Sequence, residues 1–415
     1  MQLTIHRGSH EIGGSCVELR TSEVKILIDL GLPLDFKKRS TTEQAEIYNE
    51  AKRWCEGVDA LILSHAHADH YGLLDLLPEG TPVFASEESF AMLSLDAVHH
   101  ADPTERLKRH IVQSGQTIPL GQLKITPYTV DHSAFGAMAF LFEGEGKRLL
   151  YSGDIRLHGV KGSLYKLLPQ EVDYLLLEGT NIDRDAATKS EKTIEEEFIQ
   201  AFDEAPYALH LVWCSSKNID RLCKLYRACL QRGKELVVDP YTAYALQLAS
   251  QTNRHIPTVT TATHLRCYFP DPITRKMMSQ DAARYIYALE PRLNKVSHSH
   301  LNTFGQNYVV VVRPSALRFL QGIAFRPLRL IRSLWEGYWE EEPTARFRGW
   351  CEQHCSHITT IHSSGHADRQ SLQRLVEHVR PKHLIPIHTE SPEKYAELYP
   401  DTVVELLADG EAKRL

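Results

Sequence analysis

The stretch ALILSHAHADH constrains this chain more than any other. Ala60 to Ser64 is an apolar run of strand length, and it empties directly into His65, His67, Asp69 and His70. Four ligand-type side chains crowded behind one strand do not read as a polar turn that is histidine-rich by chance. On a loop leaving a strand, His65 and His67 can point at one ion while Asp69 and His70 turn toward a second. Imidazoles and a carboxylate together suit zinc, or another borderline divalent ion. The fold therefore has to bring further ligands to the ends of neighbouring strands.

Such ligands follow. VDHSAFGA offers His132 just after one strand, and YSGD offers Asp154 after RLLYS. An aspartate there can bridge two ions held roughly 3.5–4 Å apart, as two-metal hydrolases require. Asp29 in ILIDLG also ends a strand and is expected to orient a ligand histidine from behind. Taken singly, His132 or Asp154 would read as a turn residue; their fit to one pattern reverses that judgement.

The strands themselves are short apolar runs bounded by turn residues, among them QLTIHRG, SCVELRT, TPVFAS, LKITPYTV, AMAFLFEG and DYLLLEGT. Helical spacing is expected at Glu43 to Trp54, at Ser89 to His99, and in HADHYGLLDLLPEG just after the histidines. Strands alternating first with turns and then with helices predict an α/β sandwich. This pattern of HxHxDH, a lone His and an Asp, each after a strand, resembles the metallo-β-lactamase superfamily. The resemblance implies a four-layer αββα sandwich with a di-zinc site along one edge. His67 stands where the diiron oxygen-reducing members carry Glu, which argues against redox chemistry.

From about Asp183 the texture changes to strand–helix–strand grammar, with KSEKTIEEEFIQAF and IDRLCKLYRACLQRG as helices and LHLVWCSS, KELVVDP, NYVVVVRPS and LRLIRSLW as strands. Arg254 to Gln306 is irregular, with Pro257, Pro270, Pro272 and Pro291. The reading is an α/β unit over residues 183–347 inserted into a first domain formed by 1–182 and 348–415, the returning part holding HITTIHSSG, RQSLQRLVEHVRP and KHLIPIHTE.

TIHSSGHADR, late in the chain, says what kind of hydrolase this is. LLLEGT, HSSGHA and LIPIHTE put Glu178, His366 and His388 where they resemble motifs A, B and C of the β-CASP nucleases, a group that includes ribonuclease J and the metallo-nuclease of pre-mRNA 3′-end processing. The insertion between Glu178 and His366 matches the position of the β-CASP domain. The physical logic agrees. His388 can complete the second ion site with Asp69, His70 and Asp154, which frees His366 to touch the scissile phosphate or protonate the leaving oxygen. Glu178 can hold His366 by a hydrogen bond. Ser363, Ser364 and Gly365 offer small side chains and backbone N–H groups for a phosphate; His362 is left out of the site. In the family, His at motif C goes with RNA and an apolar residue with the DNA-repair branch.

The expected reaction is hydrolysis of phosphodiester bonds in single-stranded RNA by a hydroxide activated at two zinc ions, with 5′-phosphate and 3′-hydroxyl ends. Asp69, Glu178 and His366 are the expected catalytic set; His65, His67, Asp69, His70, His132, Asp154 and His388 are the metal set. The alternatives are a single-stranded DNA nuclease on the same scaffold and a non-catalytic β-CASP subunit of a nucleic-acid-processing complex. A lactonase or thioesterase would leave the insertion and motifs A and B unexplained.

Composition bounds the rest. The chain has 415 residues, is 42% hydrophobic and 24% charged, and carries a net charge of −6, which is no generally basic nucleic-acid coat. Its eight scattered cysteines suit reduced thiols better than a disulfide framework. No apolar run is long enough to span a membrane, and the start MQLTIHRGSHEIGGS has no secretory pattern. A cytoplasmic location is expected, with a homodimer left open. CEQHCSH, with Cys351, His354, Cys355 and His357, reads as ordinary thiols rather than a second zinc site. Arg326, Arg329 and Arg332 read equally as a solvated face and as a phosphate-binding stripe, and Trp335, Tyr338 and Trp339 as core packing.

Overall fold

A computed structural model describes residues 1–96, 98, 102–184, 187–279 and 295–415. The chain divides into two compact units, one of Met1–Ser94, Asp102–Thr188 and Gly365–Leu415, the other of Leu95–Ala101 and Lys189–Ser364.

The first unit is built on two seven-stranded sheets. One contains β1 (Gln2–Arg7), β2 (Cys16–Arg20), β3 (Lys25–Ile28), β4 (Ala60–Ile62), β5 (Pro82–Ala85) and β6 (Lys108–Ile111), with β20 (Ala412–Arg414) added beside β1. The other contains β7 (Ile118–Leu120), β8 (Leu123–Thr129), β9 (Met138–Gly144), β10 (Lys147–Tyr151) and β11 (Tyr174–Glu178). β18 (His383–Ile387) and β19 (Val403–Val404) extend it from late in the chain. The period-two alternation of a strand sorts side chains between two cores. Met138, Phe140 and Phe142 of β9 join Leu3, Ile5 and Val17 between the sheets. Ala139 and Leu141 face the other way, onto Leu372, Leu375 and Val379 of the helix Arg369–Val379. This is the expected sandwich.

Local sequence explains the flanking helices. Ser40 and Glu43 form a reciprocal capping box that starts Thr41–Trp54, and Ile47 and Ala51 are its buried face. HADHYGLLDLLPEG, expected to be one helix, is a single turn, Ala68–Tyr71, followed by a 3-10 turn, Leu74–Leu76. Gly72 ends it where a Cβ would meet the Ala68 carbonyl at 2.4 Å. The helix expected at Ser89 to His99 runs Glu87–Asp96; Ala97 and His99 lie outside the described residues.

The second unit carries a six-stranded sheet in the order β14 (Leu265–Cys267), β13 (Glu235–Val238), β15 (Tyr308–Val312), β12 (Leu209–Cys214), β16 (Leu328–Ser333), β17 (Cys355–Thr360). All its pairings are parallel, and the central strands LHLVWC and YVVVV are buried throughout, as a sheet covered on both faces requires. β17 pairs with β16, so HITT belongs to this sheet and the unit ends at Ser364 instead of residue 347. The irregular stretch Arg254 to Gln306 includes β14 and the helices Asp271–Met278 and His298–Phe304; residues 280–294, with Pro291, lie outside the described residues.

The arginine triplet makes no stripe. Arg329 and Arg332 are three apart on a strand and so face opposite sides; Arg329 reaches Glu204 at 3.7 Å, whereas Arg332 donates to Thr360 Oγ1 at 2.8 Å and lies over the Trp339 ring. Trp339 is core, as expected, but Trp335 (55% exposed) and Tyr338 (43%) are not.

Candidate metal centre

Every candidate ligand of the first unit leaves the carboxyl end of a strand or the turn just beyond it. His65, His67, Asp69 and His70 follow β4, His132 follows β8, Asp154 follows β10, Glu178 ends β11 and His388 follows β18. Asp154 Oδ2 is the common point. It lies 3.2 Å from His70 Nε2, 3.6 Å from His65 Nε2, 3.8 Å from His132 Nε2 and 3.7 Å from His366 Nδ1. His388 Nδ1 stands 3.8 Å from Asp154 Oδ1, and His388 Nε2 is 3.3 Å from Asp69 Oδ2.

Two of the ligand sets that converge are His65, His67 and His132 on one side, and Asp69, His70 and His388 on the other; His65, His70 and Asp154 form a set that links them. His65 Nε2, His70 Nε2 and Asp154 Oδ2 are buried and satisfied by no hydrogen bond. Buried polar atoms are costly unless partnered, so three of them aimed together fit a cation. Imidazole nitrogens with carboxylate oxygens are a zinc donor set.

The rings are held in the tautomer that ligation needs. Asp29 Oδ2 accepts from His70 Nδ1 at 2.8 Å and from the Tyr151 and Ser64 hydroxyls at 2.7 Å each, while Ser64 N–H donates to Oδ1 at 2.7 Å. The Gly365 carbonyl accepts from His132 Nδ1 at 2.5 Å. Both Nε2 atoms are thereby left toward Asp154. Asp29 (φ +57°) and His388 (φ +53°) both hold left-handed backbone, sparsely populated for such residues. Behind His132, the Arg156 guanidinium is buried against Asp131 at 2.5 Å.

Charge follows from the same contacts. Burial pushes the His65 and His132 rings well below the ordinary imidazole range, so both are neutral. Burial opposes the Asp154 carboxylate, but the neighbouring His388 and His70 rings overrule it and hold Asp154 well below its usual range. His366 goes the other way. Burial opposes its charge, yet Glu178 and Asp154 raise it to about 9.

His366 Nδ1 lies 3.2 Å from Glu178 Oε1, and the Glu178 carboxylate is itself fixed by N–H groups of Ile155 (3.2 Å) and Thr180 (3.0 Å). Gly365 is packed so that a Cβ would lie 2.4 Å from Ser133 Oγ. Ser363 and Ser364 belong to the second unit. The Ser363 hydroxyl donates to the Lys189 carbonyl at 2.5 Å, and its own carbonyl accepts from buried Arg221 at 3.4 Å. Ser363, expected to meet a phosphate, thus also ties its loop to Lys189 and Arg221. Cys351, His354, Cys355 and His357 form no ligand cluster among the described residues: the two thiols hydrogen-bond each other and the His354 ring stacks on Trp350.

Sequence reading missed four supports. Ser64 and Tyr151 brace Asp29; Asn181 donates to the His366 and Ala367 carbonyls at 3.3 Å each; Thr180 Oγ1 lies between the His366 and His388 rings. Their one local signal is adjacency to strand-end ligands, as in LLLEGTN.

The chain is similar to several known proteins. Residues 26–211 match the β-lactamase superfamily domain, and residues 354–398 match the RNA specificity domain of Zn-dependent metallo-hydrolases. An RNase J-like protein of Methanocaldococcus jannaschii is 26% identical over 218 residues, covering 49% of this chain and 48% of that protein. Ribonuclease J of Helicobacter pylori strain B128 is 22% identical over 407 residues, covering 94% of this chain and 56% of that one. The chain thus spans about half the length of these curated relatives. A crystal structure of a protein of unknown function from Enterococcus faecalis V583 shares the fold, with a TM-score of 0.80 at 20% identity over 100% of this chain and 99% of that one. No helix among the described residues is long and apolar enough to cross a membrane. The chain thus carries a β-lactamase superfamily domain and an RNA specificity domain of Zn-dependent metallo-hydrolases, and it is similar to proteins named ribonuclease J and RNase J-like protein.

Proposed function

We propose that this protein is a metal-dependent ribonuclease that hydrolyses phosphodiester bonds of single-stranded RNA at a two-zinc centre, leaving 5′-phosphate and 3′-hydroxyl ends. The observation that carries the reading is the His366–Glu178 pair at 3.2 Å beside a buried set of nitrogen and oxygen atoms with no hydrogen bonds of their own. His65, His67 and His132 would hold one ion, Asp69, His70 and His388 the other, with Asp154 between them. Zinc, when bound, supplies Lewis-acid charge for the phosphoryl oxygens and brings the pKa of water to about 7.

The chain's own residues do the rest. Glu178 keeps a proton on His366, so that the ring can donate it to the departing 3′ oxygen. Asp69, whose carboxylate is held low by His70 and His388 against the effect of burial, stays an acceptor for water. Asp29 and the Gly365 carbonyl hold two ligand rings in register. Ser364 and the Gly365 backbone precede His366 in the same loop and are the groups proposed to meet the phosphate. RNA as substrate is supported by His388 and by the RNA specificity domain match.

The test is cleavage of end-labelled single-stranded RNA and DNA of identical sequence by zinc-loaded protein, with His366→Ala as control. Preferential RNA cutting that the variant loses supports the reading, and end analysis of the products tests the 5′-phosphate. A protein that binds zinc and cuts neither polymer sinks it.

A further inference from the structure

Arg156 is among the largest side chains with no exposed surface, and a charged group is almost never so placed unless it is paired. Its Nε donates to Asp131 Oδ1 at 2.5 Å, with the two side chains 0% and 1% exposed, and its backbone N–H donates to the Asp131 carbonyl at 2.7 Å. The Lys161 N–H donates to Asp131 Oδ2, so the chain from Arg156 to Lys161 wraps the carboxylate. Gly159 allows the wrap to close: a Cβ there would stand 2.1 Å from Asp131 Oδ1 and 2.5 Å from Arg156 Nε. Asp131 immediately precedes His132, and Arg156 lies two residues past Asp154.

That placement meets a need of the sheet. His132 follows β8 and Asp154 follows β10, but β9 lies between those strands, so the ladder joins them through β9. Neighbouring strands are about 4.8 Å apart, which separates the two strand ends by about 10 Å. His132 Nε2 and Asp154 Oδ2 nevertheless come to 3.8 Å. An apolar pair of similar volume often serves a fold as well as a buried ion pair does, so stability alone does not account for this one. We infer that Asp131 and Arg156 are a positioning pair that clamps the turn carrying His132 to the turn carrying Asp154, setting the reach between a ligand of the first ion and the carboxylate between the two ions. The inference rests on the two-ion reading for its use, but the clamp is a property of the metal-free protein.

Two variants and two measurements decide it. Asp131→Asn with Arg156→Met removes both charges and keeps an amide oxygen for the Lys161 N–H. Gly159→Ala keeps both charges and forces them apart. In either variant, zinc affinity by competition with a chromophoric chelator should fall about 10–100-fold for at least one ion, the loss usual for groups that orient a ligand. The denaturant midpoint of the double variant should stay near that of wild type. A merely structural pair gives the reverse, lost stability with unchanged zinc affinity, and that result overturns the inference. Crystal structures of wild type and variants without metal supply the second measurement. The separation of His132 Nε2 and Asp154 Oδ2 is expected to change by more than about 0.5 Å, the tolerance of a working site; an unchanged separation overturns the inference. If the double variant does not fold, Gly159→Ala carries both tests. Should the wild type bind no zinc, the ion reading fails, and the metal-free separations still judge the clamp.

Discussion

Asp29 Oδ2 accepts the His70 Nδ1 proton at 2.8 Å, with both side chains fully buried. The same oxygen receives the Tyr151 and Ser64 hydroxyls. An amide at this position cannot accept at both ends. Asp29→Asn is expected to fold and to weaken zinc binding about 10–100-fold, read by chelator competition, with far-UV circular dichroism unchanged.

His366 Nδ1 lies 3.7 Å from Asp154 Oδ2 and 3.2 Å from Glu178 Oε1. His366→Ala should lower kcat by about 10²–10⁴-fold, the range for loss of a positioned acid, while two zinc ions still bind. Metal analysis on the same sample separates this outcome from loss of the site.

Gly31 lies where a Cβ would come within 1.7 Å of the Asp69 carbonyl oxygen and 2.8 Å of the Ser15 nitrogen. Neither is a flexible side-chain tip, so Gly31→Ala has to displace the backbone that carries Asp69. Zinc stoichiometry should drop toward one ion per chain in this variant.

Arg221 in the second unit is wholly buried and reaches Glu191 at 2.9 and 3.0 Å, together with Ser333 Oγ at 2.6 Å. Arg221→Met leaves the Glu191 carboxylate without its partner and should cost about 3–5 kcal/mol in denaturant unfolding. Adding Glu191→Leu should recover most of that loss, because the uncompensated charge is gone.

Glu18 is held down to about 2 from an ordinary 4.5: burial opposes the charge, but His6, Lys25 and Arg20 together outweigh it. The partners stand at 3.1, 3.4 and 3.0 Å. A depressed carboxyl stabilises the fold above its unfolded value and loses that contribution as pH falls through its folded one. The stability gap between wild type and Glu18→Gln should be about 2–3 kcal/mol at neutral pH and fade between pH 4.5 and about 2.

Much of the site was legible because its chemistry is written at strand ends. His65, His132, Asp154 and His388 each follow an apolar run, and ligand type plus position was signal enough. Partners that act by tertiary approach left none: the Gly365 carbonyl meets His132 across the length of the insertion, and no local pattern marks it. The same holds for β17. A parallel strand is assigned by its neighbour, here β16, so the end of the inserted unit could not be read from HITTIHSSG. Trp335 is exposed, its indole lying against the backbone at Gly337, where a Cβ would come within 2.2 Å of the ring. Hydrophobic content alone pointed to the core.

The two-ion arrangement around Asp154 underlies the whole account, and anomalous diffraction at the zinc edge from zinc-soaked crystals tests it most directly. Two peaks are predicted, one among His65, His67 and His132 and one among Asp69, His70 and His388, with the Asp154 carboxylate between them. A single peak under saturating zinc, or ions bound elsewhere with these side chains left apart, would contradict it.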